Sequence, residues 1–267
     1  MAQVTWNPSK DSETTNPSWQ GLYKVGGVAA LLTAVLIVLG VVTFVVWPPP
    51  PPEASVTEWF ALFQHNWLVG MLGLDLVMLV SYLVLIPLLL ALYIALRRTN
   101  EVLMALAATF GFIGIATYFA SSRLFEMLAL SQQYAAATTD VQRASLVAAG
   151  QSVLITYLGS FAAPAARSAW NYQGTAFNVS FVLWSVAGVL IAIVMLCDAN
   201  FGKVIGSLGV ITFVATFGLF LPVIGVYLSL IGLVVQLVWY LLIARGLCRL
   251  ARRTEATTNV HLANAPA

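Results

Sequence analysis

Charge is scarce in this chain. Of 267 residues only twelve are Lys or Arg and ten are Asp or Glu, 8% in all, where a soluble domain carries roughly 25%. The net charge of +2 leaves no basic face of the kind a nucleic-acid partner requires. Cysteine is limited to Cys197 and Cys248, too few for a disulfide framework. Histidine is limited to His65 and His261, too few for a His-rich metal site. Lysine is missing from every long apolar run, which excludes a retinal Schiff base. Histidine is missing from them too, which excludes bis-His haem ligation. There is no HExxH, CxxC, GxSxG or phosphate-binding loop. These absences point away from an enzyme, and no cofactor, metal or nucleic acid is expected.

What is abundant is apolar surface. Hydrophobic residues make up 60% of the chain, and the mean hydropathy is +0.91. A soluble fold of this size cannot hide so much apolar surface, so the composition predicts an all-α polytopic membrane protein. About 20 apolar residues cross a bilayer core. Six runs qualify: 25–47, 67–96, 102–130, 175–197, 204–221 and 225–244. The last two are joined tightly around Pro222, as in a helical hairpin. A membrane domain over 22–250 is therefore expected between flexible tails at 1–21 and 251–267.

The basic residues predict the orientation. With the N-terminus inside, Lys10, Lys24, Arg97, Arg98, Lys203, Arg245, Arg249, Arg252 and Arg253 all lie on the cytoplasmic side, nine of the twelve. Both termini are then cytoplasmic, in a multi-pass protein of the cell membrane. Cys197 and Cys248 fall at the inner face as reduced thiols.

The expected outer loops carry more pattern than the inner ones. Pro48 to Pro52 predict a short polyproline rod. Ser55 and Glu58 form a capping box that opens a helix with Val56, Trp59, Phe60 and Phe63 on one face. Thr139, Asp140, Val141 and Gln142 suggest a second helix start, followed by a stripe through Leu146, Val147, Gly150, Val153, Leu154, Tyr157, Leu158 and Phe161 that ends before Pro164. Both are expected to be amphipathic helices in the outer interface. The first could serve as a surface anchor or as a lid, and the second could be interfacial or re-entrant.

Ionisable residues inside a membrane are costly and mark candidate sites. Asp75 lies eight residues from the outer end of the second run, about 12 Å deep. Arg123 lies seven residues before Leu130, about 10 Å deep if that helix is continuous. The matched depths predict an Asp75–Arg123 ion pair. Glu126 is on the Arg123 face, Tyr118 is less well aligned, and Asn178 starts the fourth run at a similar depth. Tyr134, Asn171, Tyr172 and Gln173 could close the group from above. An Arg between carboxylates can bind an anionic headgroup, partly buried carboxylates can carry protons, or the pair can simply fix helix packing. Gln236 is expected to form an interhelical hydrogen bond. Pro87 is expected to bend the second run. Ala107–Gly111 and Gly202–Gly206 have the spacing of close helix contacts.

The stretches Tyr23–Gly27, Trp59–Gln64, Ile86–Arg98, Phe125–Ser131 and Tyr172–Phe177 resemble a family of uncharacterised six-span membrane proteins of bacteria and archaea, defined as a domain of unknown function. The segment from Tyr157 to Trp170 looks like an addition to that pattern. The resemblance implies six spans, and it carries no activity and no functional residue. The expected role is a non-enzymatic scaffold or accessory subunit. Its partners would be the lipid bilayer and a protein partner or a second copy of the chain. The alternative is a small-solute transporter or a lipid- or anion-binding protein using Asp75, Arg123 and Glu126.

Overall fold

A computed structural model describes residues 17–48, 50, 54–158, 175–221 and 225–263. Most of the proline run, the segment 159–174 with Pro164 and Asn171 to Gln173, the turn at Pro222 and the first sixteen residues lie outside these. The described residues are mostly helical and contain no strand. The helices are α1 (Gln20–Val46), α2 (Val56–His65), α3 (Trp67–Leu74), α4 (Leu76–Leu96), α5 (Glu101–Ser121), α6 (Leu124–Ala136), α7 (Asp140–Leu158), α8 (Thr175–Cys197), α9 (Gly202–Phe217) and α10 (Gly225–Ala263).

They sort into two layers. Six long helices form a ring in the order α1, α4, α5, α8, α9, α10, and α10 closes back onto α1. Neighbours run antiparallel. Gly26 meets Ala91 while Gly40 meets Val77, and Gly27 meets Cys248 while Lys24 reaches Glu255 at 3.4 Å. Lipid tails are as apolar as leucine, so such helices associate through close packing and interhelical hydrogen bonds. Small residues supply the contact here. A Cβ on Gly114 would stand 3.1 Å from the Ser180 carbonyl oxygen, and one on Gly188 would enter the Phe213 ring. Ala107 is fully buried and Gly111 faces Leu89. Gly206 packs on the Leu196 backbone, whereas Gly202 touches nothing and serves the turn instead, with φ +76°.

The outward faces of the ring helices are apolar and exposed: Val35, Leu83, Ile113, Ile193, Ile211 and Val234 stand on six different helices. A belt of this kind has no place in water. Five stretches are long and apolar enough to cross a membrane, namely Gln20–Val46, Leu76–Leu96, Glu101–Ala136, Thr175–Cys197 and Leu230–Ala256. They are compatible with a multi-pass membrane protein. The expected fifth run differs from the others: α9 has only 16 residues, short of the roughly 20 a crossing requires, and a 3-10 turn over Gly218–Phe220 continues it.

The second layer is a cap at one end of the ring, built from α2, α3, α6 and α7. The capping box forms as expected: the Glu58 amide donates to Ser55 Oγ at 3.4 Å, and the Ser55 amide donates to Glu58 Oε1 at 3.1 Å. The aromatic face of α2 does not lie open as an interfacial helix would. Val56, Trp59, Phe60 and Phe63 are at most 3% exposed, packed with Leu124, Met127 and Leu154 of α6 and α7. Gly150 of α7 lets Val56 and Phe60 come close. The stripe on α7 therefore faces α2 through Val147, Gly150, Val153 and Leu154, and its continuation at Tyr157, Leu158 and Phe161 lies outside the described side chains. Two amphipathic helices satisfy each other better than a bilayer surface satisfies either, because each then buries its apolar side fully.

At the opposite end, the loops between α4 and α5 and between α8 and α9 meet the end of α10. Thr99 donates to Asp198 at 2.8 Å, and Arg253 donates to Asn200 at 3.2 Å. The tail expected over 251–267 is a helix as far as Ala263. Ala251 and Thr254 are 1% exposed, and Glu255 pairs with Lys24 of α1, so residues 251–255 dock on the ring instead of hanging free.

Candidate functional site

Residues 67–96 and 102–130 each read as one long apolar run, yet both helices break at their polar residues. The first break is at Asp75, which leaves helical geometry (φ −164°, ψ −4°) between α3 and α4. The second is at Ser122 (φ −65°, ψ +130°) and Arg123, between α5 and α6. The α4 and α5 helices are antiparallel neighbours whose Tyr82 and Tyr118 rings stack with centroids 3.9 Å apart and planes 1° from parallel. That register brings the two breaks together.

Asp75 is 5% exposed. The Tyr118 hydroxyl donates to its Oδ1, and the Ser122 hydroxyl donates to its Oδ2 at 2.8 Å. A buried carboxylate without hydrogen bonds costs several kcal/mol. Two hydroxyl donors, one on each oxygen, offset much of that, since bonds to a charged acceptor are the strong class.

The expected Asp75–Arg123 ion pair does not form. Arg123 pairs with Glu126, Nη1 to Oε1 at 2.7 Å, one helical turn along the same surface, and the two side chains are 37% and 51% exposed. Ser122, one residue earlier at the same level, takes the place expected of Arg123. The helix stops at Ser121, so its phase does not carry on to Arg123, and it is Ser122 that turns inward.

Asn178, on α8, is 5% exposed. It follows Phe177, whose ring lies 6.0 Å from that of Tyr118, so it belongs to the same end of the ring as Asp75. Tyr134 belongs to the cap, with its ring 5.2 Å from Phe60. The five expected residues thus divide three ways. Asp75 and Asn178 lie in the upper interior of the ring, Arg123 and Glu126 make a surface pair, and Tyr134 packs in the cap. Tyr82 and Ser122 were not anticipated as members of the site, and Ser180, which donates to the Gly114 carbonyl at 2.7 Å, was not either. The signal available for Ser122 was the polar triplet Ser121-Ser122-Arg123 in an apolar run.

Below Tyr82 the ring interior is aromatic. Tyr82 leads to Trp184 at 6.4 Å between ring centroids. A small apolar cavity follows, lined among others by Leu89, Trp184, Gly188, Phe213, Trp239 and Tyr240. It has room for about one water and is not lined by Asp75. Gln236 donates to the Tyr240 hydroxyl at 3.5 Å on its own helix, where an interhelical bond was expected. Among the described residues no three His, Cys, Asp or Glu side chains gather as metal ligands would.

The chain matches no family model, no curated protein and no solved structure.

Proposed function

We propose that this chain is a multi-pass membrane protein that acts as a non-enzymatic scaffold or accessory subunit, and that its helical cap is the extracytoplasmic working surface. The observation that carries this reading is that, among the described residues, the buried carboxylate where ring and cap meet and the Arg123–Glu126 pair beside it are engaged within the protein. Asp75 accepts from Tyr118 and Ser122, and Arg123 pairs with Glu126. A carrier or an enzyme would keep at least one such group aimed into a space that substrate can enter. The cap also has a packed core of its own, as a rigid recognition surface requires.

The gathering of Lys24, Arg97, Lys203 and the α10 arginines at the end opposite the cap supports cytoplasmic termini. With its 3-10 turn, α9 reaches about 30 Å, which supports a sixth crossing. A cysteine introduced for Val141, 81% exposed on α7, should react with an impermeant maleimide in intact cells. Cys197 and Cys248, both exposed, should react only after permeabilisation.

A second reading has its own support. Breaks at one level in two adjacent helices, with a carboxylate between them, are a feature of ion- and solute-coupled carriers. Proteoliposomes separate the two readings. Under imposed proton and anion gradients, vesicles with the chain should leak no faster than vesicles without it. A chain-dependent flux, abolished by Asp75→Asn in a variant that melts normally, would overturn the scaffold reading in favour of the carrier.

A further inference from the structure

The outer face of α10 changes chemistry along its length without changing direction. Tyr227, Leu230, Ile231, Val234, Val238 and Leu241 are all exposed, and Arg245, Arg249 and Arg252 are exposed beyond them. At 3.6 residues per turn these nine positions fall within about 100° of arc. The buried sides of the same segment are committed elsewhere: Leu247 and Ala244 lie against α1, and Gly246 receives the Phe201 ring. One straight surface therefore runs from bare apolar side chains to three guanidinium groups spread over about 10 Å.

The nearby acids are taken. Glu255 pairs with Lys24, and Asp198 accepts from Thr99 and from the amides of Asn200 and Phe201. Among the described residues, none of Arg245, Arg249 and Arg252 makes a hydrogen bond or ion pair. Three unpaired cations at the foot of an apolar stripe match one molecule in charge and in shape, a lipid with an acidic head.

We infer that the α10 face from Val234 to Arg252 is a binding surface for an anionic phospholipid of the cytoplasmic leaflet. Acyl chains lie along Val234, Val238 and Leu241, and the phosphate sits between Arg245 and Arg249. Guanidinium suits this task because its fork matches phosphate oxygens two at a time. Arg252, deepest in the cytoplasmic direction, reaches back along its stem to the headgroup layer. This inference rests on the membrane reading above, and on its orientation for the leaflet, but not on any role of the cap.

The test uses the purified full chain in non-ionic detergent with equal amounts of phosphatidylglycerol and phosphatidylcholine of the same acyl chains. Retained lipid is counted by native mass spectrometry. The wild type should hold phosphatidylglycerol over phosphatidylcholine by more than about tenfold, since a basic residue near a headgroup contributes about fivefold in affinity. The triple variant R245Q/R249Q/R252Q should hold both lipids nearly equally. Arg249→Gln alone, a mild change on an exposed face, should lower the preference about fivefold, so the idea stays testable if the triple variant does not fold. Inorganic phosphate at the same concentration should not displace the lipid, because it lacks the acyl contact. A preference that survives in both variants, or displacement by inorganic phosphate, would overturn the proposal. Alkaline extraction separates this from the larger reading. Wild-type chain released from membranes refutes the membrane reading, whereas chain that stays in the membrane yet holds both lipids equally refutes only the lipid site.

Discussion

The ring and the cap are built from the same all-α vocabulary but held by different forces. In the ring, glycines let helices approach closely: Gly26 against Ala91, Gly114 against the Ser180 backbone, Gly206 against the Leu196 backbone. In the cap, large side chains fill a small centre: Trp59, Phe60 and Phe63 against Leu124 and Met127. On the membrane reading proposed above, the difference follows from the solvent each layer would meet. Helices surrounded by lipid gain nothing from burying leucine and gain much from close approach. Helices outside the lipid are driven by water off their apolar faces. An aromatic amphipathic helix such as α2 is thus a cap element, and a helix with small residues along its inner side is a ring element.

This contrast can be broken from either side. The largest effect is expected from Phe60→Ala, which empties the middle of the cap at a cost of about 3–5 kcal/mol. Hydrogen exchange should then show α2, α6 and α7 losing protection while α4, α5 and α8 keep theirs. Loss of protection in both layers together would mean that cap and ring are one cooperative unit. Asp75→Ala comes next, at about 2–3 kcal/mol, because it removes a charged acceptor from the buried Tyr118 hydroxyl and the half-buried Ser122 hydroxyl. Lying where the layers meet, it should lower the protection of α3 and of the Tyr118 end of α5 together, with the melting temperature in detergent as a second measure. Gly188→Val should cost about 1–3 kcal/mol by forcing the Phe213 ring aside. It should affect α8 and α9 and spare the cap. The smallest effect is expected from Glu126→Gln. An exposed pair such as Arg123–Glu126 contributes less than about 1 kcal/mol, and the change should leave both layers intact. A larger loss in thermal melting would mean that this pair holds more than its own surface.

The sequence foretold elements better than encounters. The apolar runs, the capping box at Ser55 and Glu58 and the aromatic face of α2 are all local, and each is read within a few residues. What α2 would face is not local, and a bilayer surface and a neighbouring amphipathic helix call for the same pattern. Periodicity failed at Asp75 and Ser122 because a 3.6-residue repeat predicts neighbours only while the helix continues. Carried through a break, it pointed to Arg123 and underrated Tyr118, four residues before Ser122 and on the unbroken side. The α10 extension was legible in part: Ala251, Arg252, Arg253, Glu255 and Ala256 are good helix formers. Their polarity outweighed that propensity, and the small buried stripe of Leu247, Leu250, Ala251 and Thr254 was too short to stand out.

The closing of α10 onto α1 has a consequence for biogenesis. On the membrane reading, the chain enters the bilayer in the order in which it is made, so α1 is in place long before its second neighbour exists. Until α10 arrives, the side of α1 that carries Gly27 has no helix of this chain against it, and the Lys24 ammonium waits for a carboxylate more than 200 positions downstream. On that reading, the seam can be sealed only after α10 has been made. A nascent chain halted before Gly225 would be an open crescent, with the aromatic interior around Trp184 laid bare to lipid or to a chaperone.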